Sequence, residues 1–127
     1  MKKVIYTKNG VEPIGPYSQA VHASGELLFI SGQIPIDPKT NSIDRSDIEG
    51  QTEQVMQNIR SILKHQNLNF SNVIKCEVFL QNINDFSKFN DVYAEFFKKG
   101  DYPARAVVEV SKLPKNVLIE ISAIAVY

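Results

Sequence analysis

Arg105, in the stretch ARAVVEV, and Glu120, in VLIEISAIAVY, are ionisable side chains set into otherwise oily runs. Each carries a definite chemistry. A guanidinium presents two parallel N–H donors and can grip a carboxylate in a fixed orientation. A carboxylate can take a proton from an attacking water and hand one back to a leaving group. The same two residues could instead form a structural ion pair, or lie at a sheet end near water. The strand pattern alone leaves both readings open.

Alternation shows what must surround them. A strand sends successive side chains to opposite faces. In the last stretch one face carries Val117, Ile119, Ile121, Ala123 and Ala125, and the other Leu118, Glu120, Ser122, Ile124 and Val126. Neither is a normal solvent face, so both are expected to be covered by protein. ARAVVEV divides into Ala104, Ala106, Val108 and Val110 against Arg105, Val107 and Glu109. NVIKCEVFLQ divides into Ile74, Cys76, Val78 and Leu80 against Val73, Lys75, Glu77 and Phe79. The purely apolar faces are expected to meet helices, leaving the mixed faces to share the far side of the sheet. That side would carry Phe79, Val107, Leu118, Ile124 and Val126 among charges. Such a surface is too greasy for open water and too charged for a closed core, which suits a subunit interface lined with ionisable groups. A homo-oligomer follows, with Arg105 and Glu120 near its seam. A hairpin closing Val110 on Val117 would set Arg105 diagonal to Glu120, although the six-residue connection SKLPKN also admits a strand in between.

The elements that position these residues are readable from period and punctuation. KKVIYT reads as a short strand, and VEPIGPYSQA as a loop marked by Pro13, Gly15 and Pro16. SQAVHAS and ELLFISGQI read as strands joined by a hairpin at Ser24-Gly25. A helix over 47–67 shows the stripe Ile48, Val55, Met56, Ile59, Ile62 and Leu63. A second helix starts near Asn84 and Asp85, carries Phe86, Phe89, Val92, Tyr93, Phe96 and Phe97 as ordinary packing residues, and ends at Gly100. The order is three strands, helix, strand, helix, two strands: an α+β or mixed α/β layer fold with two helices over a sheet of six strands.

The 127 residues suit a single domain spanning 1–127, with no linker or repeat. No apolar run is long enough to span a bilayer, and MKKVIYTKNG lacks the apolar core of a signal peptide. One cysteine fits a reducing compartment, so a cytoplasmic location is expected; Cys76 itself reads as core. Fourteen basic residues balance fourteen acidic ones, which disfavours a nucleic-acid binder. His22 and His65 have no partners at metal-ligand spacing and read as surface or structural.

Five segments in order, IGPYSQAV, ISGQIPIDPKT, VIKCEVFLQNINDFSKFNDVYAEFF, YPARAVVEV and LPKNVLIEISAIA, resemble the RidA/YjgF family of reactive intermediate deaminases over nearly the whole chain. The resemblance implies a chorismate-mutase-like α+β fold, a homotrimer with three sites in the clefts between subunits, and the strand around Val73 to Leu80 lying between the last two strands. It implies hydrolysis of 2-imino or 2-enamino acids, such as 2-aminoacrylate, to 2-oxo acids and ammonia, with no cofactor and no metal. By the same resemblance Arg105 holds the substrate carboxylate and Glu120 positions or activates water. Tyr17 hydrogen-bonds the ligand, Ser31 and Gly32 bring backbone to it, and Asn90 is a polar residue near the cleft. Two positions depart from the common pattern. Val107 stands where many members have a cysteine, which removes a reactive group and alters the pocket lining; Ser122 replaces a second acidic residue. The competing readings are a non-catalytic trimer that binds 2-oxo acids, and a ribonuclease or translation inhibitor, which the balanced charge disfavours. A chaperone role remains open.

Overall fold

The computed structural model describes Met1–Tyr127. In chain order the elements are β1 (Lys2–Ile5), β2 (Ala20–Ala23), β3 (Leu27–Gln33), α1 (Ile48–His65), β4 (Val73–Leu80), α2 (Phe86–Ala94), β5 (Ala104–Glu109) and β6 (Ile119–Val126). The two helices pack on one face of a mixed four-stranded sheet ordered β3-β6-β4-β5, and β1 and β2 form a separate antiparallel ribbon. All six expected strands are present, divided between these two ladders. No helix is long and apolar enough to cross a membrane.

α1 begins where Asp47 accepts from the backbone N–H of Gly50 at 2.8 Å. Lys64 and His65 in its last turn suit the negative end of the helix dipole. It buries the expected Ile48, Val55, Met56, Ile59 and Leu63, with Ile62 at the margin. α2 is shorter than the aromatic stripe suggests. Asn82, rather than Asn84 or Asp85, caps the 3₁₀ turn leading into it, and Asp85 makes no side-chain cap. The α-helix stops at Ala94, so Phe96 and Phe97 lie in the turns beyond. Phe89 and Tyr93 are fully buried against Cys76, Val78, Leu80, Ile119 and Ile121 in one continuous core. Each such side chain contributes on the order of 2 kcal/mol.

Pairing corrects the hairpin expected at Ser24-Gly25 and decides the last two strands against a direct hairpin, as the resemblance implies. β2 pairs with β1, while β3 pairs with β6. Gly25 (φ +129) turns the chain between ladders instead of closing a hairpin. At the other end, β4 lies between β5 and β6, parallel to the first and antiparallel to the second. The connection after β5 is therefore a crossover. Two bulges adjust the faces. β4 places Val73 opposite Ala125 and Lys75 opposite Ile124, an extra residue that turns Val73 into the core and leaves Ile74 half-buried. On β3, Ile30 faces Ala123 and Gln33 faces Ile121, so Ser31 and Gly32 sit at a second irregularity.

The face assignment holds for β4 beyond its bulge and for β6, and fails for β5. Cys76 pairs with both Ala123 and Arg105, and Val78 with both Ile121 and Val107. Arg105 and Val107 thus share the helix side with the core. Ala104, Ala106 and Val108 lie with Lys75, Glu77 and Phe79 on the far face, as do Glu120 and Ile124. The far face is open in the protomer. Phe29 on it is 70% exposed and Val108 47%. Leu118, by contrast, packs against the core, and Val126 is buried beside Gly25.

Candidate functional site

Arg105 emerges at the edge of the helix layer, on the outermost strand of the sheet. Its guanidinium carbon lies 5.4, 5.8, 5.3 and 5.0 Å from the ring centres of Tyr17, Phe86, Phe89 and Tyr93. These rings box the cation and favour it through their quadrupoles. One donor is fixed: Nη1 donates to Asn90 Oδ1 at 2.8 Å. The chain's single intramolecular salt bridge is Lys2–Asp101, at 3.2 Å, so Arg105 has no carboxylate of its own. Burial pulls its pKa below the ordinary arginine value, and the nearby Tyr93, Cys76 and Tyr17 oppose that shift. A desolvated cation with free donors is suited to receive an anion.

A loop brings the rest of this half together. Gln19 acts as its internal strut. The Gln19 side-chain amide donates to the carbonyls of Thr7 (3.1 Å) and Val11 (2.9 Å), and its Oε1 accepts from the Thr7 N–H (2.7 Å). Ser18 anchors the loop to the entry of β5 through the carbonyls of Tyr102 and Pro103. Tyr17 Oη accepts from the Ile14 N–H at 3.3 Å, leaving the phenol hydrogen free to donate. Gly15 passes close over the pair below, where a Cβ would stand 3.4 Å from both Arg105 Nη2 and Asn90 Nδ2. Ile14, Tyr17, Phe86, Arg105 and Val107 line a cleft of about 250 Å³.

Glu120 occupies the opposite face. It lies across β4 from Phe79 and beside the β3 bulge. It is half-buried, with no ion pair and no hydrogen bond in the protomer. Gly32 leaves room for Glu120: a Cβ at that position would overlap the carboxylate and make it move. Ser31 and Gly32 are exposed beside it.

The protomer therefore brings Tyr17, Asn90, Arg105 and Val107 together, and separately brings Gly32 and Glu120 together. The diagonal pairing of Arg105 with Glu120 is not formed; the sheet stands between them. Sequence reasoning missed Gln19, Ile14 and Gly15 and treated Phe86, Phe89 and Tyr93 as packing only. The spacing of Phe86, Phe89 and Tyr93 on one helix face marks the box, but nothing local says that a cation completes it. Cys76 is buried core, as expected, and His22 and His65 are exposed. No group of three or more His, Cys, Asp or Glu residues is gathered to hold a metal ion.

Helices on one side of a mixed sheet, an open far face, and an arginine without an acidic partner in an aromatic box define an α+β protein with a candidate anion site in each protomer. Residues 7–127 match the Endoribonuclease L-PSP family. A RutC family protein of Pyrococcus horikoshii is 58% identical over 125 residues, which are 98% of each chain. The structure of the Rid family protein YyfA from Yersinia pestis superposes with a TM-score of 0.78 at 47% identity, over the whole of both chains. That of Escherichia coli TdcF, solved with bound serine, does so with a TM-score of 0.76 at 39% identity, over 98% of each. The chain belongs to this Rid/YjgF family.

Proposed function

We propose that the protein is a cofactor-independent deaminase that hydrolyses 2-imino and 2-enamino acids, such as 2-aminoacrylate, to 2-oxo acids and ammonia. The observation that carries this reading is Arg105: a half-buried guanidinium, boxed by aromatic rings, without an acidic partner, at a cleft sized for a small acid. Arg105 grips the substrate carboxylate, Asn90 orients the guanidinium, and Tyr17 offers its free hydroxyl hydrogen.

Glu120 supplies the proton traffic. Because it lies across the sheet from Arg105, one reaction centre needs Arg105 of one protomer and Glu120 of a neighbour. A homotrimer with sites at its seams meets that need, and the bare face with Phe29 and Val108 is the surface to be covered. Water attacks the imine carbon while Glu120 takes its proton, and the C=N electron pair moves to nitrogen, which is protonated. The resulting carbinolamine collapses: its hydroxyl proton passes by way of Glu120 to nitrogen, the O–H electron pair becomes C=O, the C–N bond breaks, and ammonia leaves. An enamine first tautomerises to the imine. The spontaneous reaction is already facile, so holding and proton transfer suffice.

The test is a coupled assay in which 2-aminoacrylate is generated in situ and 2-oxo acid formation is followed with and without the protein. Acceleration supports the reading; an unchanged rate overturns it. A second reading, a trimer that binds 2-oxo acids without turnover, draws on the Arg105 half being formed within one protomer. It predicts binding without acceleration. The balanced charge, 14 basic against 14 acidic residues, gives no support to RNA as the substrate.

A further inference from the structure

We propose that a second cleft, on the outer side of the helix layer, binds a small phosphate monoester, with Arg60 and Lys98 holding the phosphate; the inference is independent of the deaminase reading. The cleft, of about 330 Å³, lies where α1, the turns after α2 and the 3₁₀ turn Phe70–Asn72 meet, and its lining includes Arg60, Asn69, Phe70, Phe96 and Lys98. That volume is at the lower end of small-molecule sites. Arg60 repeats the arrangement of Arg105. Its guanidinium carbon lies 4.8 Å from the ring centre of Phe96 and 5.6 Å from that of Phe70. The two rings support each other edge to face, with centres 5.4 Å apart. A side-chain amide again fixes one donor: Nη1 donates to Gln57 Oε1 at 3.1 Å. No carboxylate lies within ion-pair distance of Arg60. The guanidinium is thus oriented and bedded, but its charge is unanswered.

The surroundings favour a doubly charged anion. Lys98 is exposed on the same cleft and pairs with no acid. Asp101, the one acid in the lining, is already answered by Lys2 at 3.2 Å. Asn69 Oδ1 accepts from the Ser71 N–H at 2.8 Å and from the Ser71 hydroxyl, so its amide hydrogens are left to donate. Glu53 and Glu95 line a separate cleft on the other flank of Arg60. Gln57 stands between, donating to Glu53 at 3.0 Å while it accepts from Arg60. Two cations and an amide match the double charge and three acceptor oxygens of a phosphate monoester, whereas a carboxylate would leave one cation unused. Phe96 offers an apolar wall to the organic part of the ester. The helices separate this cleft from the open sheet face, so assembly through that face leaves it accessible.

The experiment titrates phenyl phosphate into the full chain by calorimetry, in an Arg105→Ala background that removes the other anion cleft. One saturable site per chain is expected to remain. Adding Arg60→Gln should weaken it roughly 10-fold or more, the scale of a lost hydrogen bond to a charged group. Adding Lys98→Gln should weaken it about 3-fold, the scale of an exposed ion pair. Arg60→Lys keeps the charge without the planar fork and should fall between wild type and Arg60→Gln. Both positions are exposed, so melting curves should stay close to that of the parent chain. Benzoate, with the same ring and a single charge, should bind at least about 10-fold more weakly than phenyl phosphate. Absence of saturable binding in the millimolar range, or binding that Arg60→Gln leaves intact, overturns the proposal. Binding seen in wild type but lost in Arg105→Ala does so as well, since the ester would then be a ligand of the Arg105 cleft. Equal affinity for benzoate overturns the assignment to phosphate.

Discussion

The two halves of the candidate site differ in how much of their geometry one protomer supplies. Arg105 is held by Asn90 and surrounded by four aromatic rings, under a loop braced by Gln19 and Ser18. Glu120 has no hydrogen bond or ion pair, and its immediate surroundings are a glycine at a bulge and an uncovered sheet face. Under the proposed reaction, the half assigned to recognition is built into the folded chain, whereas the half assigned to proton transfer stands open to whatever covers the far face. Preorganisation lowers the cost of binding at the first half. In the proposed trimer the second half would gain its covered surroundings only on assembly. On this view the protomer alone binds an anion, and the assembled protein turns it over.

The largest expected effect comes from the finished half. Arg105→Ala should lower kcat/KM by at least about 100-fold, the scale of losing a charge-assisted bidentate contact. Thermal stability should barely fall, because burial disfavours the charged form of Arg105. Steady-state kinetics beside a melting curve checks both. Normal turnover would remove Arg105 from the reaction, and a collapse in melting temperature would make it structural.

Glu120→Gln tests the open half. It should cost about 100-fold in kcat, within the range of general acid–base catalysis, while binding of a 2-oxo acid to Arg105 persists. The decisive version mixes the two inactive chains by co-refolding Arg105→Ala with Glu120→Gln. If each centre combines Arg105 of one protomer with Glu120 of the next, random mixing restores about one quarter of the centres, because each needs one particular ordered neighbour pair. If both residues served a single protomer's cleft, the mixture would stay inactive.

Gly32→Ala is a smaller perturbation of the same half. The new Cβ would overlap the Glu120 carboxylate and force it aside. A loss of about 10-fold in kcat is expected from misplacing a catalytic group by a fraction of its reach. The position is exposed, so the fold should hold. Full activity in Gly32→Ala would mean that the observed carboxylate position is not the working one.

Local pattern carried much of this architecture, and long-range pairing carried the rest. The α1 stripe and the β4 and β6 core faces follow directly from periods of 3.6 and 2. β5 departs from the expectation because the purity of an apolar face is not the mark of a helix-covered one. In fact the clean face of Ala104, Ala106 and Val108 is left for the far side, and the face with Arg105 meets the aromatic rings of α2. The rule fails at an edge strand, where the helix layer ends and a cation can sit half-covered. The Ser24-Gly25 hairpin fails, and the SKLPKN connection stays ambiguous, for a different reason: nothing local in either reports which distant strand will pair. The strand pattern singles out Glu120 and the resemblance names Ser31 and Gly32, yet the bulge that brings Gly32 against Glu120 is a property of the β3–β6 register.

The smallest effect concerns the floor beneath Arg105. Cys76 lies across from Arg105 in the sheet and is fully buried; burial pushes its pKa up to about 11, with Tyr93, Arg105 and Lys2 pulling the other way. A thiol held neutral in this way adds stability that is complete below its ordinary value of 9.0 and is lost as pH rises through about 11. Wild type and Cys76→Ala should therefore converge in unfolding free energy over that window, by about 2 to 3 kcal/mol. Denaturant melts of both proteins across the window measure it. A constant gap, or rapid alkylation of Cys76 in the folded protein at pH 8, would mean that water reaches the floor. The contrast between a dry, finished half and an open one would then fail at its better-built end.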